Sequence, residues 1–211
     1  MRTLEVEKEE INIEQQYNKK KMIEYFLREI QTQCEYIDIS QSIINSKNTA
    51  TVKNYALHGM FNAFGNISKI LFPEPKDNCD ERGEIIRNLL DINENTQFHY
   101  KFKNNTARKY RNILEHYDAN FEKQFKKRSP NYIIDGNIGP IESCKFGDEP
   151  VLRHFDTEKY SFIFVDDEYE IIPALEESYM LYNKINILLK EGFEIEWKWN
   201  KYNYKYYRLG S

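Results

Sequence analysis

The chain has 211 residues, 40 % of them hydrophobic and 30 % charged, which is ordinary globular usage and enough to bury a core without staples. A net charge of -4 argues against indiscriminate nucleic-acid binding. Three widely spaced cysteines, Cys34, Cys79 and Cys144, with no CxxC pair support neither a disulfide framework nor a zinc knuckle, and so point to a reducing, cytoplasmic setting.

In chain order, residues 1–16 are acidic and weakly patterned, and they read as a flexible N-terminal segment. The start has no apolar h-region, which argues against a signal peptide. From Tyr17 to about Ser46, apolar residues recur at Met22, Ile23, Phe26, Leu27, Ile30, Cys34, Ile37 and Ile44, the spacing of a long amphipathic helix. Ser46–Thr49 gives a turn and capping side chains. A second helix follows through Leu57, Met60, Phe61, Phe64, Ile67 and Leu71, and Pro73 and Pro75 stop it. A shorter helix spans roughly Glu81–Ile92.

Asn104-Asn105-Thr106 predicts the start of a helix reaching about Lys127, ended by Ser129-Pro130. Turn markers then crowd residues 131–172: Asp135-Gly136, Asn137, Gly139-Pro140 and Gly147. Within them Tyr160–Val165 is β-prone, and Tyr169–Ile172 is placed to pair with it as a hairpin. Pro173 suits the first turn of a last helix ending near Gly192. The tail 192–211 is aromatic and basic, and Phe193–Trp199 alternates as a strand does. Its tryptophans, tyrosines and lysines suit base stacking or, as an edge strand, packing on the bundle. The expected fold is mainly α, a four- or five-helix bundle with a small β appendage, and no segment is apolar for the roughly 20 residues a membrane span needs.

Charge is uneven along this frame. Between Lys101 and Arg128 stand nine basic residues against Glu115, Asp118 and Glu122, a local attraction for phosphate backbones. Between Asp148 and Glu177 ten acids face only Arg153 and Lys159. His58 and His99 stand alone, without HxxxH or HExxH spacing, so neither a metal nor a cofactor is expected.

One helix carries a chemical motif. Along the helix that Thr106–Asp118 opens, at 100° per residue, Tyr110, Ile113, Leu114, Tyr117, Phe121 and Phe125 share one face. Arg108, Asn112 and His116, spaced four apart, form a stripe away from it, with Arg111 beside them. The spacing places the Asn112 amide within reach of the His116 ring. The plain alternative is a solvated helix face with an Arg111–Glu115 pair.

Arg111-Asn112-Ile-Leu-Glu-His116 resembles the R-N-x-x-x-H signature of the HEPN superfamily. The Ile67–Pro73 helix end, Glu115–Asp118 and the Asn137-Ile-Gly-Pro140 turn resemble bacterial HEPN-like proteins as well. The resemblance covers residues 17–127 and, more loosely, the stretch to 191, read as one HEPN-like domain. It implies a helical bundle that dimerises through the motif-bearing helix and cleaves RNA without metal, in a toxin–antitoxin or phage-defence setting, with a protein antitoxin or regulator as a further partner. Arg111, Asn112 and His116 are then the catalytic residues, and Arg108, Lys109, Lys101 and Lys103 hold the RNA. Family members without nuclease activity serve as dimerisation or binding modules. Where toxins paired with nucleotidyltransferase antitoxins carry a modified tyrosine two residues after the histidine, this chain has Asp118, with Tyr117 one residue too early.

Overall fold

A computed structural model describes residues 2–73, 80–93, 106–128, 135–144, 151–164, 167–197 and 204–208. The protein is mostly helical, with a small four-stranded mixed sheet and a separate two-stranded one. Among the described residues no helix is long and apolar enough to cross a membrane.

Helix α1 runs from Arg2 to Asn45. The sequence puts its start near Tyr17, with residues 1–16 as a flexible segment. The helix instead continues to Arg2, because residues 2–16 hold no glycine or proline and are rich in the helix-favouring Glu, Lys and Gln. Its buried face is Ile23, Leu27, Ile30, Cys34, Ile37 and Ile44. Helix α2, Ala50–Leu71, begins where Thr49 Oγ1 accepts from the Val52 amide and stops ahead of Pro73. Leu57, Met60, Phe61, Phe64, Ile67 and Leu71 are each no more than 1 % exposed, so α2 is the central element of the core. Burying that many large side chains, at about 1.5–3 kcal/mol each, is the main force holding α1 and α2 together.

Helix α3 spans Asp80–Leu89. The next helix, expected to be continuous to Lys127, is two: α4, Thr106–Glu115, and α5, Tyr117–Arg128, with a break at His116. Leu114 and Phe121, seven residues apart, both pack on the core, whereas Phe125 is left 48 % exposed, and this apolar spacing by itself does not account for the break.

The turn-rich region holds more β-structure than one hairpin. Strands β1 (Asn137–Gly139), β2 (Arg153–Asp156), β3 (Ser161–Phe164) and β4 (Asp167–Glu170) form a sheet in chain order, β1 parallel to β2 and the rest antiparallel. The predicted hairpin is β3–β4, in register Ser161↔Glu170 to Phe164↔Asp167. Phe162 carries the sheet onto α2, its ring 5.0 Å from that of Phe61. Helix α6, Ile172–Glu191, has Pro173 in its first turn and ends at Gly192, whose φ of 84° suits glycine alone and whose amide caps Leu188 O at 2.9 Å.

The tail strand β5 (Phe193–Trp197) is paired with β6 (Tyr204–Arg208), antiparallel, from Phe193↔Arg208 to Trp197↔Tyr204. Lys20 of α1 holds this hairpin, 2.7 Å from Glu194 Oε1 and 5.7 Å over the Phe193 ring. Trp199 lies outside the described residues.

Candidate functional site

The motif helix is seated on α2 by close backbone approach. Gly65 of α2 is buried under Arg111: a β-carbon there would lie 2.6 Å from Arg111 Cδ and 3.1 Å from its Cβ. Only glycine lets α4 come this near. The Arg111 guanidinium is 20 % exposed and forms an ion pair with Glu115, one turn on, so the motif arginine is partly committed within its own helix.

Arg108 is committed more fully. Its Nη2 donates to Phe72 O, at the end of α2, and, at 3.4 Å, to Ser68 O, which also accepts the Phe72 amide. It has company there: Arg82 donates to Lys69 O at 3.4 Å, and Arg87 donates to Leu71 O. Three guanidinium groups thus close the negative end of one helix dipole. The sequence places Arg108 on an outward stripe for RNA. Its structural duty is instead to tie α4 to the end of α2, because helix-end carbonyls within reach outcompete solvent for a planar donor. Arg108→Ala is therefore expected to lose charge-assisted hydrogen bonds worth about 2 kcal/mol, a drop of roughly 4–8 °C in Tm by calorimetry for a chain of this size.

Lys109 also faces the protein. Its Nζ is 3.9 Å from Asp167 Oδ2 and 5.0 Å above the Tyr169 ring, which links α4 to β4 while leaving the amine more than half exposed. Lys101 and Lys103 lie outside the described residues. Asn66 donates to Gln33 Oε1 at 3.3 Å and so points to α1, away from the motif.

Asn112 and His116 are different. Both are exposed, and among the described residues neither side chain makes a hydrogen bond. The link between them is backbone, His116 N to Asn112 O at 3.0 Å, rather than the amide-to-imidazole contact that the spacing anticipates. His116 occupies the break, immediately ahead of Tyr117, where α5 begins anew. The negative end of the α4 dipole and the positive end of the α5 dipole meet at this residue, so the imidazole stands between them. The break was not readable from the apolar pattern.

A second polar cluster lies in the sheet, where the sequence spacing gives no sign that Cys144 joins His154. Cys144 Sγ is 3.4 Å from His154 Nδ1 and receives the Asn137 amide; Cys144 and His154 are each 1 % exposed. Asp156, equally buried, accepts from the amides of Glu158 at 2.9 Å and Lys159 at 3.3 Å, shaping the turn into β3. The turn that Asp156 shapes is interior, and the Nε2 of His154, also buried, has no hydrogen-bond partner among the described residues. Among the described residues no group of three or more His, Cys, Asp or Glu is arranged to hold a metal ion.

Arg153 grips Asp135 with two 2.6 Å bonds, and His58 faces this pair from α2. Burial holds the His58 pKa below its ordinary value, and the Arg153 charge adds to the effect against Asp135. Burial likewise lowers His154, against the opposing pull of Asp156. Unfolded histidines take up protons near pH 6.5. Between that pH and the lowered folded values, the unfolded chain binds protons that the folded chain refuses, so stability falls as pH drops through this window. Melts from pH 7.5 to 5 should show Tm falling with acidity, and His58→Gln should flatten the slope; an unchanged slope would remove His58 from the account.

No protein-family model, curated protein or solved structure matches the chain.

Proposed function

We propose that the protein is a metal-independent endoribonuclease of the HEPN type, acting as a homodimer through its motif-bearing helix. The observation that carries this reading is the pair Asn112 and His116. Both are presented unengaged beside Arg111, Asn112 in the last turn of α4 and His116 in the break before α5, inside the most basic stretch of the chain. A fold mostly of helices is in keeping with it.

The chemistry follows from side-chain type. The ribose 2′-hydroxyl attacks the adjacent phosphorus, its proton passing to a base, and the P–O5′ bond breaks as an acid protonates the leaving oxygen. The products are a 2′,3′-cyclic phosphate and a 5′-hydroxyl. An imidazole changes charge near neutral pH and can fill either role. One chain supplies one such histidine at the motif, and the same histidine of a second copy supplies the other. Arg111, released from Glu115 by the incoming phosphate, stabilises the charge that builds on the phosphorane-like transition state. Asn112 orients the base or the scissile phosphate. A bacterial defence or toxin–antitoxin role, with a protein regulator, fits such an activity.

A non-catalytic HEPN module that binds a protein partner or RNA is the second reading. It is favoured by one specific observation: Arg108, Lys109 and Arg111 all have protein contacts, which leaves few cations for a phosphate backbone. The deciding test is incubation of end-labelled single-stranded RNA with the protein in EDTA. Cleavage leaving cyclic phosphate ends supports the nuclease; intact RNA across several sequences, with a confirmed dimer, supports the binding module.

A further inference from the structure

Away from the motif, a groove of about 490 Å³ opens between α1 and α6, along Cys34–Gln41 and Leu175–Tyr182. That volume is in the range of small-ligand pockets. Its floor is apolar, with Ile37 buried and Leu175 partly so. Tyr179, 69 % exposed, and Tyr182 supply aromatic surface. Glu35 and Asp38 stand exposed at the rim, and the Tyr182 hydroxyl donates to Glu35 Oε1 at 3.5 Å, which holds one carboxylate beside a ring.

We propose that this groove binds a small organic ammonium ion with an apolar body. The argument is one of charge complementarity. No lysine or arginine lines the groove, and among the described residues neither Glu35 nor Asp38 has an ion-pair partner. The other titratable groups lining it are the two tyrosine hydroxyls and Cys34, whose thiol is pushed up to about 12 by burial and by the Glu35 charge, and so stays neutral. Two uncompensated carboxylates over hydrocarbon repel anions, which sets this groove apart from any phosphate-binding surface. A cation finds Coulombic attraction at the rim and tyrosine faces for a cation–π contact, while its hydrocarbon part covers Ile37 and Leu175. A neutral molecule of the same shape gains only the last of these.

The test is calorimetric titration of the full chain at pH 7 with phenethylammonium and, as its uncharged counterpart, 2-phenylethanol. The amine is expected to saturate with a Kd at or below about 3 mM. The alcohol, and the amine on the Glu35→Gln/Asp38→Asn variant, are expected to bind roughly tenfold more weakly. Tyr179→Ala should weaken the amine severalfold. These side chains are exposed, so unchanged Tm values confirm that the variants are folded. Nα-acetyl-lysine-N-methylamide forms a third arm: tighter binding than phenethylammonium assigns the ammonium to a protein side chain, weaker binding to a free amine. No saturation by either ammonium probe, equal binding of amine and alcohol, or full affinity in the double variant overturns the proposal.

Discussion

The His116→Ala variant is expected to cleave RNA about 10²–10⁴-fold more slowly than the wild type, the usual worth of a positioned acid or base, with Tm unmoved. The two halves of that expectation come from different facts. The imidazole is exposed and makes no hydrogen bond among the described residues, so its loss removes neither packing nor a buried partner. What disappears, on the proposed reading, is the proton carrier between α4 and α5. Arg111→Ala should behave otherwise. Its methylenes cover Gly65 and its guanidinium pairs with Glu115, so it should lose both activity, by about 10²–10³-fold, and roughly 1 kcal/mol of stability. Single-turnover cleavage in EDTA, read beside thermal melts of the same preparations, separates the two. Wild-type rates in His116→Ala would end the nuclease reading. A fall in Tm equal to that of Arg111→Ala would make His116 a structural residue.

The contrast between these two motif residues marks how far the sequence could be read. Periodicity located the helices because burial enforces it: Ile23, Leu27 and Ile30 repeat on α1 as Leu57, Phe61 and Phe64 do on α2, and all are buried. Local chemistry located the ends, with Thr49 capping α2 and Gly192 ending α6, since a cap is decided by neighbours in the chain. What escaped was decided at long range. Arg108 sits on a stripe that looks outward only until the carbonyls of Ser68 and Phe72 arrive beside it from another helix. Strands β1 and β2 were hidden because three- and four-residue strands show too few alternations to register, and because β1 pairs in parallel with a segment that follows it by more than a dozen residues. Alternation in the tail predicts a strand, but nothing in it names β6 as the partner. The break at His116 escaped as well: local propensity favours one helix, and Leu114 and Phe121, seven residues apart and both on the core, keep the spacing of a continuous one.

Gly83→Ala is expected to be the most destabilising single-methyl change in the described helices. A β-carbon at Gly83 of α3 would lie 2.5 Å from Pro73 Cδ, 2.9 Å from Leu71 O and 3.0 Å from Arg87 Nη1. Alanine favours a helix over glycine by about 1 kcal/mol, so on an open helix face the change would stabilise. Here two of the three obstacles are a proline ring and a carbonyl, neither of which can rotate aside. Helix α3 must back away from the end of α2, an overpacking cost of about 3 kcal/mol, which leaves a net loss near 2 kcal/mol and a Tm roughly 4–8 °C lower. Gly65→Ala meets a different neighbour. There the nearest atom, at 2.6 Å, is Arg111 Cδ, which can swing aside and take the motif cation out of place, while Arg111 Cβ at 3.1 Å requires α4 itself to give by a few tenths of an ångström. The same substitution at the two glycines should therefore report on different things, chiefly stability at 83 and chiefly cleavage at 65. A Gly83→Ala protein melting within a degree of the wild type would mean that α3 is not pressed against the carbonyls that Arg87 and Arg108 close. Those carbonyls are what anchor α4, and with it the angle at which His116 is presented.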